Sequence, residues 1–185
     1  MTDETLMQRV RDGDLAALGD LFERHHRRLY LFLARSVGDA AAAEDLVQEV
    51  FVRILSYRRT YDETHRFETW LYRIARNARV DHFRRRGPEP DRVDAAFEVP
   101  AAGQGPADLL EREMDLRQLA RAMSQLDEDR RDLLVLARYQ AMPYDRIAEL
   151  LGIEIGAVKV RVHRALKQLR AAFVKLERVD WAAKE

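Results

Sequence analysis

The chain has 185 residues, enough for one large domain or two small ones. Its 32 lysines and arginines balance 32 aspartates and glutamates, so the net charge predicts no partner. It has no cysteine, which excludes disulfides, thiol catalysis and cysteine-based zinc sites. The sequence also shows no signal peptide and no apolar run of the ~20 residues needed to span a bilayer. We expect a soluble cytoplasmic protein with no membrane insertion.

Apolar residues recur at helical spacing through the first half of the chain. Stripes at residues 15–33, 46–55 and 67–78 predict three helices, and Asp39 is a candidate N-cap for the second. No segment alternates between apolar and polar residues as a strand bounded by turns would. The sequence therefore predicts an all-α fold.

The third of these helices, "FETWLYRIARNARVDHFRRR", is unusually basic. Residues 66–86 hold seven arginines against two acids. Aromatic rings next to arginines suit unpaired nucleic acid, because bases stack on the rings and guanidinium groups hold the phosphates. The simpler interpretation is a core helix with Phe67 and Trp70 buried and the arginines in solvent, and both interpretations remain open.

A break follows at residues 87–106, which contain four of the five prolines and three of the eight glycines. Proline ends helices and glycine frees the backbone, so the segment reads as a flexible linker. We predict a first helical domain at 1–88, a linker at 89–107, a second helical domain at 108–178 and a tail at 179–185.

The second half contains a helix-turn-helix pattern, "MPYDRIAELLGIEIGAVKVRVHRALKQLR". Two helical stripes flank Gly152, which suits the left-handed position of a tight turn. Residues 157–175 hold six lysines and arginines and no acid. Such a helix suits the major groove of DNA, where arginine reads guanine edges and lysine neutralises phosphates. The alternative is a solvated surface helix of a small bundle.

Two further patterns have weaker interpretations. The segment "AEDLVQEVF" has an acidic, amide-bearing face that is either solvated or a docking face for a basic partner helix. The five histidines show no paired metal-ligand spacing, and no phosphate loop or nucleophile elbow is present. The sequence thus predicts no catalytic residue, no metal site and no cofactor, and the protein is not expected to be an enzyme.

Three segments together resemble the extracytoplasmic-function sigma factors of bacterial RNA polymerase. They are "AEDLVQEVFVRIL", "FETWLYRIARNARVDHFRRR" and "LDEDRRDLLVLARYQAMPYDRIAELLGIEIGAVKVRVHRALKQLR", and the resemblance spans residues 15–170. It implies a first domain, sigma-2, that binds core polymerase and melts the −10 promoter element. It also implies a second domain, sigma-4, that reads the −35 element.

The resemblance implies roles for particular residues. A coiled coil on the largest polymerase subunit would meet Asp45, Leu46, Gln48 and Glu49, and the flap would be a further polymerase contact. The −10 element would meet Tyr61, Arg66, Arg76, Asn77, Arg79, Arg84 and Arg85, with Tyr61 and Asn77 near a flipped-out base. The −35 element would meet Lys159, Arg161, Arg164 and Lys167. An anti-sigma factor is a further expected partner, because nothing in the chain looks self-inhibitory.

The chain departs from the family pattern at the start of its second basic helix. Ala157 and Val160 stand where the family usually has threonine and serine, so two hydroxyl groups that could bond phosphates or bases are missing. Two other classes of protein remain as alternatives: a stand-alone helix-turn-helix regulator that binds duplex DNA, and a structural adaptor that binds partner helices.

Overall fold

The computed structural model describes residues 1–86 and 106–182, with side chains at 1–85 and 114–177. These residues form eight α-helices and no strand, which confirms the predicted all-α fold: α1 (Asp3–Arg11), α2 (Leu15–Val37), α3 (Ala40–Tyr57), α4 (Phe67–Arg86), α5 (Pro106–Ser124), α6 (Glu128–Leu134), α7 (Tyr144–Leu151) and α8 (Ile155–Ala182). A 3₁₀ turn (Arg58–Thr60) follows α3, and a π-helical turn (Val135–Tyr139) follows α6. Within these two ranges, no helix combines the length and the apolar character that crossing a bilayer requires.

Short polar side chains begin several helices. Asp39 accepts a hydrogen bond from the Ala42 N–H at 3.0 Å, which confirms it as the N-cap of α3. Gly38, just before it, has a φ of 72° and ends α2 in the left-handed conformation. This pair of residues makes a tight corner, so α2 and α3 pack against each other along their lengths.

The first domain is built from α1 to α4. Leu6, Leu21, Phe32 and Leu46, from three different helices, are almost completely buried. Helix α4 completes the core, and its Tyr72 ring meets the Phe32 ring edge-on with centroids 5.2 Å apart. The predicted stripes identify the inner faces of α2, α3 and α4, except that Leu15 is 59% exposed, and α1 was not predicted.

The second domain is built from α5 to α8. Helices α7 and α8 form the predicted helix-turn-helix, and Gly152 between them has a φ of 64°, as the turn requires. Helix α5 begins at Pro106, inside the predicted linker, in a position that suits proline. Most of the predicted linker lies outside the described residues, and α8 runs to Ala182 through part of the predicted tail.

The two domains pack against each other, which the sequence did not predict. Gln140, in the second domain, is buried and donates a hydrogen bond to the Arg28 backbone carbonyl of α2 at 3.0 Å. Its side-chain oxygen accepts a hydrogen bond from the Tyr72 hydroxyl of α4 at 3.3 Å. Buried apolar residues of both domains also form one contiguous core. Helix α4 therefore belongs to the core of one domain and to the interface with the other.

Candidate nucleic-acid interface

Helix α4 directs its polar side chains to two separate faces. Trp70, Arg73 and Asn77 follow one another at three- and four-residue steps and so share one side of the helix. Arg76 and Arg79 share another side, which faces the second domain. The basic residues of this helix therefore do not form a single surface.

The first face borders a groove between α3 and α4 with a volume of about 500 Å³. Its lining includes Tyr57, Thr60, Trp70, Arg73, Asn77 and Arg84. The Tyr57 ring is exposed and Trp70 is half-buried, so both offer ring surface to the groove. Arg73, Asn77 and Arg84 are exposed at the same place. Rings, guanidinium groups and an amide together provide the groups that bind an unpaired nucleic-acid strand.

Tyr61 lies elsewhere, and its predicted contact with a base does not fit this structure. Its side chain is only 3% exposed, and its ring packs edge-on against Trp70 with centroids 5.2 Å apart. Its hydroxyl donates a hydrogen bond to the His65 backbone carbonyl at 2.9 Å. Burial, together with nearby carboxylates, raises the pKa of Tyr61 to about 12. Tyr61 therefore packs against Trp70 from within the core, and the half-buried Trp70 lines the groove.

Arg76 and Arg79 also differ from their predicted placement, because acidic residues of the second domain cover them. Arg79 is 1% exposed, and its two terminal nitrogens lie 3.0 Å from Glu128 and 3.0 Å from Asp132. Arg76 contacts Asp129 at 2.9 Å and Asp132 at 3.3 Å. Burial raises the pKa of Asp132, and the adjacent guanidinium groups of Arg79 and Arg76 oppose that rise. In this arrangement Arg79 is closed to DNA, and Arg76, which is 23% exposed, is paired with carboxylates.

The remaining predicted −10 residues are accessible. Arg66 is exposed before the start of α4, and Arg84 lines the groove. Arg85 is 63% exposed and contacts Glu49 of α3 at 3.0 Å. Of the exposed arginines, Arg73 and Arg84 line the groove itself, where the carboxylate of Asp81 also lies. Arg73, Tyr57 and Thr60 were absent from the predicted site, although the 3.6-residue period places Arg73 on the same face as Asn77.

The predicted polymerase-binding residues of α3 lie on two different sides of that helix. Asp45 and Gln48 are exposed, together with Glu44. Leu46 is 1% exposed and lies in the core, so it has no surface to offer a partner. Val52, one turn after Gln48, is 63% exposed and is the exposed apolar side chain beside Gln48 on this face. The spacing of residues 44, 45, 48 and 52 marks this face in the sequence.

Glu49 lies at the edge of that face and is already paired. It accepts hydrogen bonds from Arg53 and Arg85, and Arg53 also contacts Asp81 at 2.9 Å. Burial acts to raise the pKa of Glu49, but the hydrogen bonds from the two arginines outweigh it and hold the pKa below its ordinary value. Glu49 therefore connects α3 to α4 beside the groove.

The second helix of the helix-turn-helix, α8, exposes all four of its predicted DNA-binding cations. Val158, Val162 and Ala165 anchor the inner side of the helix in the core. The outer side carries Lys159, Arg161, Arg164 and Lys167, and none of them pairs with an acid in the described part of the chain. Val160, also on the outer side, is 49% exposed. This face is therefore free to meet a polyanion.

Two helical domains, one with a groove lined by rings and arginines and one with a basic helix-turn-helix, define a class of helical DNA-binding proteins. Two family models match the chain, Sigma-70 region 2 over residues 21–89 and Sigma-70 region 4 over residues 116–169. The chain belongs to the extracytoplasmic-function subfamily of sigma-70-type RNA polymerase sigma factors, which direct promoter recognition and transcription initiation.

Relatives resemble the chain over nearly its whole length. The RNA polymerase sigma factor CarQ of Myxococcus xanthus is 37% identical, with 92% of this chain and 97% of CarQ covered. The sigma factor SigW of Bacillus subtilis is 28% identical, with 89% and 92% covered. Among solved structures, CnrH in complex with the cytosolic domain of CnrY is 28% identical and matches 91% of this chain and 95% of CnrH, with a TM-score of 0.67.

The buried position of Tyr61 can be tested by substitution. Tyr61→Phe should lower the free energy of unfolding by about 0.5–1.5 kcal/mol, because only the hydrogen bond to the His65 carbonyl is lost. Tyr61→Ala should lower it by about 3–5 kcal/mol, because a large cavity is created. Urea denaturation followed by circular dichroism measures both. The matched control is Tyr57→Ala at an exposed position, where a change within about 0.5 kcal/mol is expected. An equally small effect of Tyr61→Ala would contradict a core position.

Proposed function

We propose that three exposed surfaces of this protein each bind a different partner of a sigma factor. The groove between α3 and α4 holds the unpaired strand of the −10 element, α8 reads the −35 element, and the face of α3 around Val52 binds core RNA polymerase. The observation that carries the proposal is the meeting of rings, free guanidinium groups and the Asn77 amide in one groove. The reaction itself belongs to the polymerase, so the protein acts by binding and not as an enzyme.

The groove has the chemistry that strand opening needs. Extruding a base from a duplex costs a few kcal/mol, and stacking on an aromatic ring returns ~1–3 kcal/mol. Trp70 and Tyr57 are the candidate rings, and the Asn77 amide can both donate and accept hydrogen bonds at a base edge. Arg73 and Arg84 are the candidate phosphate contacts, because both are exposed at the groove.

The face of α3 has the composition of a docking site for a basic helical partner. Val52 provides an exposed apolar centre, and Glu44, Asp45 and Gln48 surround it with acidic and amide groups. Such a face is complementary to basic side chains around an apolar seam. We assign it to the coiled coil of the largest polymerase subunit, and we place a flap contact in the second domain.

The outer side of α8 fits the major groove. We assign Arg161 to a base and Lys159, Arg164 and Lys167 to phosphates. Val160 replaces a hydroxyl with an apolar side chain, which suits contact with a thymine methyl group. Without hydroxyl groups at Ala157 and Val160, these positions can make apolar contacts to bases but no hydrogen bonds through their side chains. The cations that contact the DNA phosphates remain.

A protein inhibitor is a further proposed partner. The structure of CnrH that resembles this chain was solved with the cytosolic domain of CnrY bound. By analogy, we propose that this protein works in the cytoplasm and is held inactive there by an anti-sigma factor. Co-purification from cells before and after induction tests this partner.

The docking face predicts a loss of polymerase affinity on charge reversal. Asp45→Arg combined with Gln48→Arg should weaken binding to core polymerase at least tenfold, because like charges would meet in a desolvated contact. The measurement is a fluorescence titration of the labelled protein with core enzyme. Asp20→Arg with Glu23→Arg, on the exposed face of α2, is the control and should leave affinity within twofold. Equal affinity of both double variants would remove the assignment.

The groove predicts a specific defect in strand opening. Asn77→Ala should leave the stability and the −35 binding of the protein unchanged, because the side chain is exposed. It should lower open-complex formation at least fivefold, as measured by permanganate reactivity of unpaired −10 thymines. A template with a pre-melted −10 bubble is the control and should recover part of the loss, since the cost of opening is removed. Normal opening by Asn77→Ala on duplex templates would disprove the site.

The assignments on α8 distinguish a residue that contacts a base from residues that contact phosphates. Arg161→Ala should cost about 1–3 kcal/mol on the best −35 sequence and relax the preference at one base pair. Lys167→Ala should weaken all sequences alike and reduce the salt dependence of binding by about one phosphate contact. Competition binding against a library of −35 variants at two salt concentrations measures both. A uniform loss for Arg161→Ala would show that this residue only contacts the backbone.

A further inference from the structure

The contact between α4 and α6 uses the chemistry of phosphate recognition, with carboxylates in place of phosphates. The two terminal nitrogens of the Arg79 guanidinium form ion pairs with the carboxylates of Glu128 and Asp132, each at 3.0 Å. Arg76, one turn earlier, receives Asp129 at 2.9 Å. Arginine binds carboxylates and phosphates with the same planar, forked geometry. The second domain thus occupies cations that would otherwise be free to meet a nucleic-acid backbone.

We propose that the acidic side of α6, formed by Glu128, Asp129 and Asp132, is a built-in phosphate mimic. It holds the Arg76–Arg79 face of α4 in a closed state, and promoter phosphates replace it when the protein opens. This inference rests on the proposed function, because it gives a second role to the domains that bind DNA. The chain would then carry a self-inhibitory contact of its own, which the sequence alone did not reveal.

The composition of the contact makes it reversible. Asp129 and Glu128 are 84% and 48% exposed, so their attraction to the arginines is weakened by water and salt. Arg79 and Asp132 are buried, and separation of the domains would return the favourable hydration of both charges. In the closed state the Arg79 Nε atom also has no hydrogen-bond acceptor among the described residues. A phosphate group, with its additional acceptor oxygens, could satisfy that donor.

The closed state also conflicts with simultaneous binding of both promoter elements. Elements centred at −10 and −35 are about 25 base pairs apart, which is about 85 Å of duplex at ~3.4 Å per step. A helix of 28 residues such as α8 is about 42 Å long at 1.5 Å per residue. Two small domains joined by direct ion pairs cannot reach across that distance. Opening must therefore precede full promoter engagement, and the ion cluster adds to its cost.

The test separates the domains without touching any residue assigned to DNA or polymerase. Glu128→Gln with Asp129→Asn neutralises the exposed acids, and adding Asp132→Asn neutralises the whole cluster. Asp20→Asn with Glu23→Gln, on α2, is the control with the same chemical change as the first pair. The chain has no cysteine, so Ala16→Cys and Ala171→Cys, both at exposed positions, accept a donor and an acceptor dye. Energy transfer then reports the distance between the domains, and titration with core polymerase reports affinity.

The triple variant should lose more than half of the energy-transfer signal of the closed state. Its apparent affinity for core polymerase should rise at least fivefold, because a larger fraction of molecules is already open. The exposed double variant should show a smaller change in the same direction. Because its two substitutions lie at solvent-exposed positions, it still tests the proposal if the triple variant does not fold. The control should match the unmodified protein in both measurements.

Two results would overturn the proposal. Unchanged energy transfer in both acid variants would mean that the carboxylates do not hold the domains together. Lower energy transfer with unchanged polymerase affinity would mean that the contact has no regulatory effect. Failure of every form of the protein, including the unmodified one, to bind core polymerase would instead contradict the proposed function, and the energy-transfer result would still stand.

Discussion

Helix α4 imposes the main constraint on this structure, because one helix of 20 residues serves three neighbours. Its apolar side, with Phe67 and Leu71, closes the core of the first domain. A second side, with Trp70 and Asn77, lines the groove, and a third side presents Arg79 to the second domain. Because these sides are fixed at helical spacing, the helix cannot rotate to favour one without disturbing the others. The position of the groove and the contact between the domains both follow from this single element.

The net charge of zero conceals an uneven distribution of charged side chains over the surface. Acids at the start of α6 neutralise part of the basic surface of α4. The basic side of α8 has no such partner in the described part of the chain, and so its field remains directed at solvent. An overall neutral protein thus keeps the cations of α8 and of the groove exposed, while the Arg76–Arg79 side of α4 is covered. Long-range attraction to DNA is therefore expected to begin at α8, since a free cationic face steers a polyanion at a distance.

Apart from α1, the sequence predicted the helices well because their signals are local. Stripes of apolar residues, the Asp39 cap and the Gly152 turn each depend on neighbours a few residues away. The site was predicted less well, since the accessibility of each side chain depends on tertiary packing. Leu46 and Tyr61 were assigned to surfaces by resemblance, and both are buried, Tyr61 against the rings of Phe67 and Trp70. The helical period alone would have separated Leu46 from Gln48. The burial of Arg79 required knowledge that α6 packs against α4, and no local pattern gives that information.

Some α4 arginines are exposed and others are paired with α6, and this difference affects how salt concentration should change transcription initiation. Binding of DNA to exposed cations weakens as salt rises, because released counterions lose their entropic advantage. Rising salt also screens the exposed pairs at Glu128 and Asp129, which weakens the closed state. The buried pair of Arg79 and Asp132 is screened much less and keeps the closed state populated. Salt therefore acts in opposite directions on opening and on DNA affinity, and the dependence of initiation on salt should be shallower than the number of phosphate contacts alone would give.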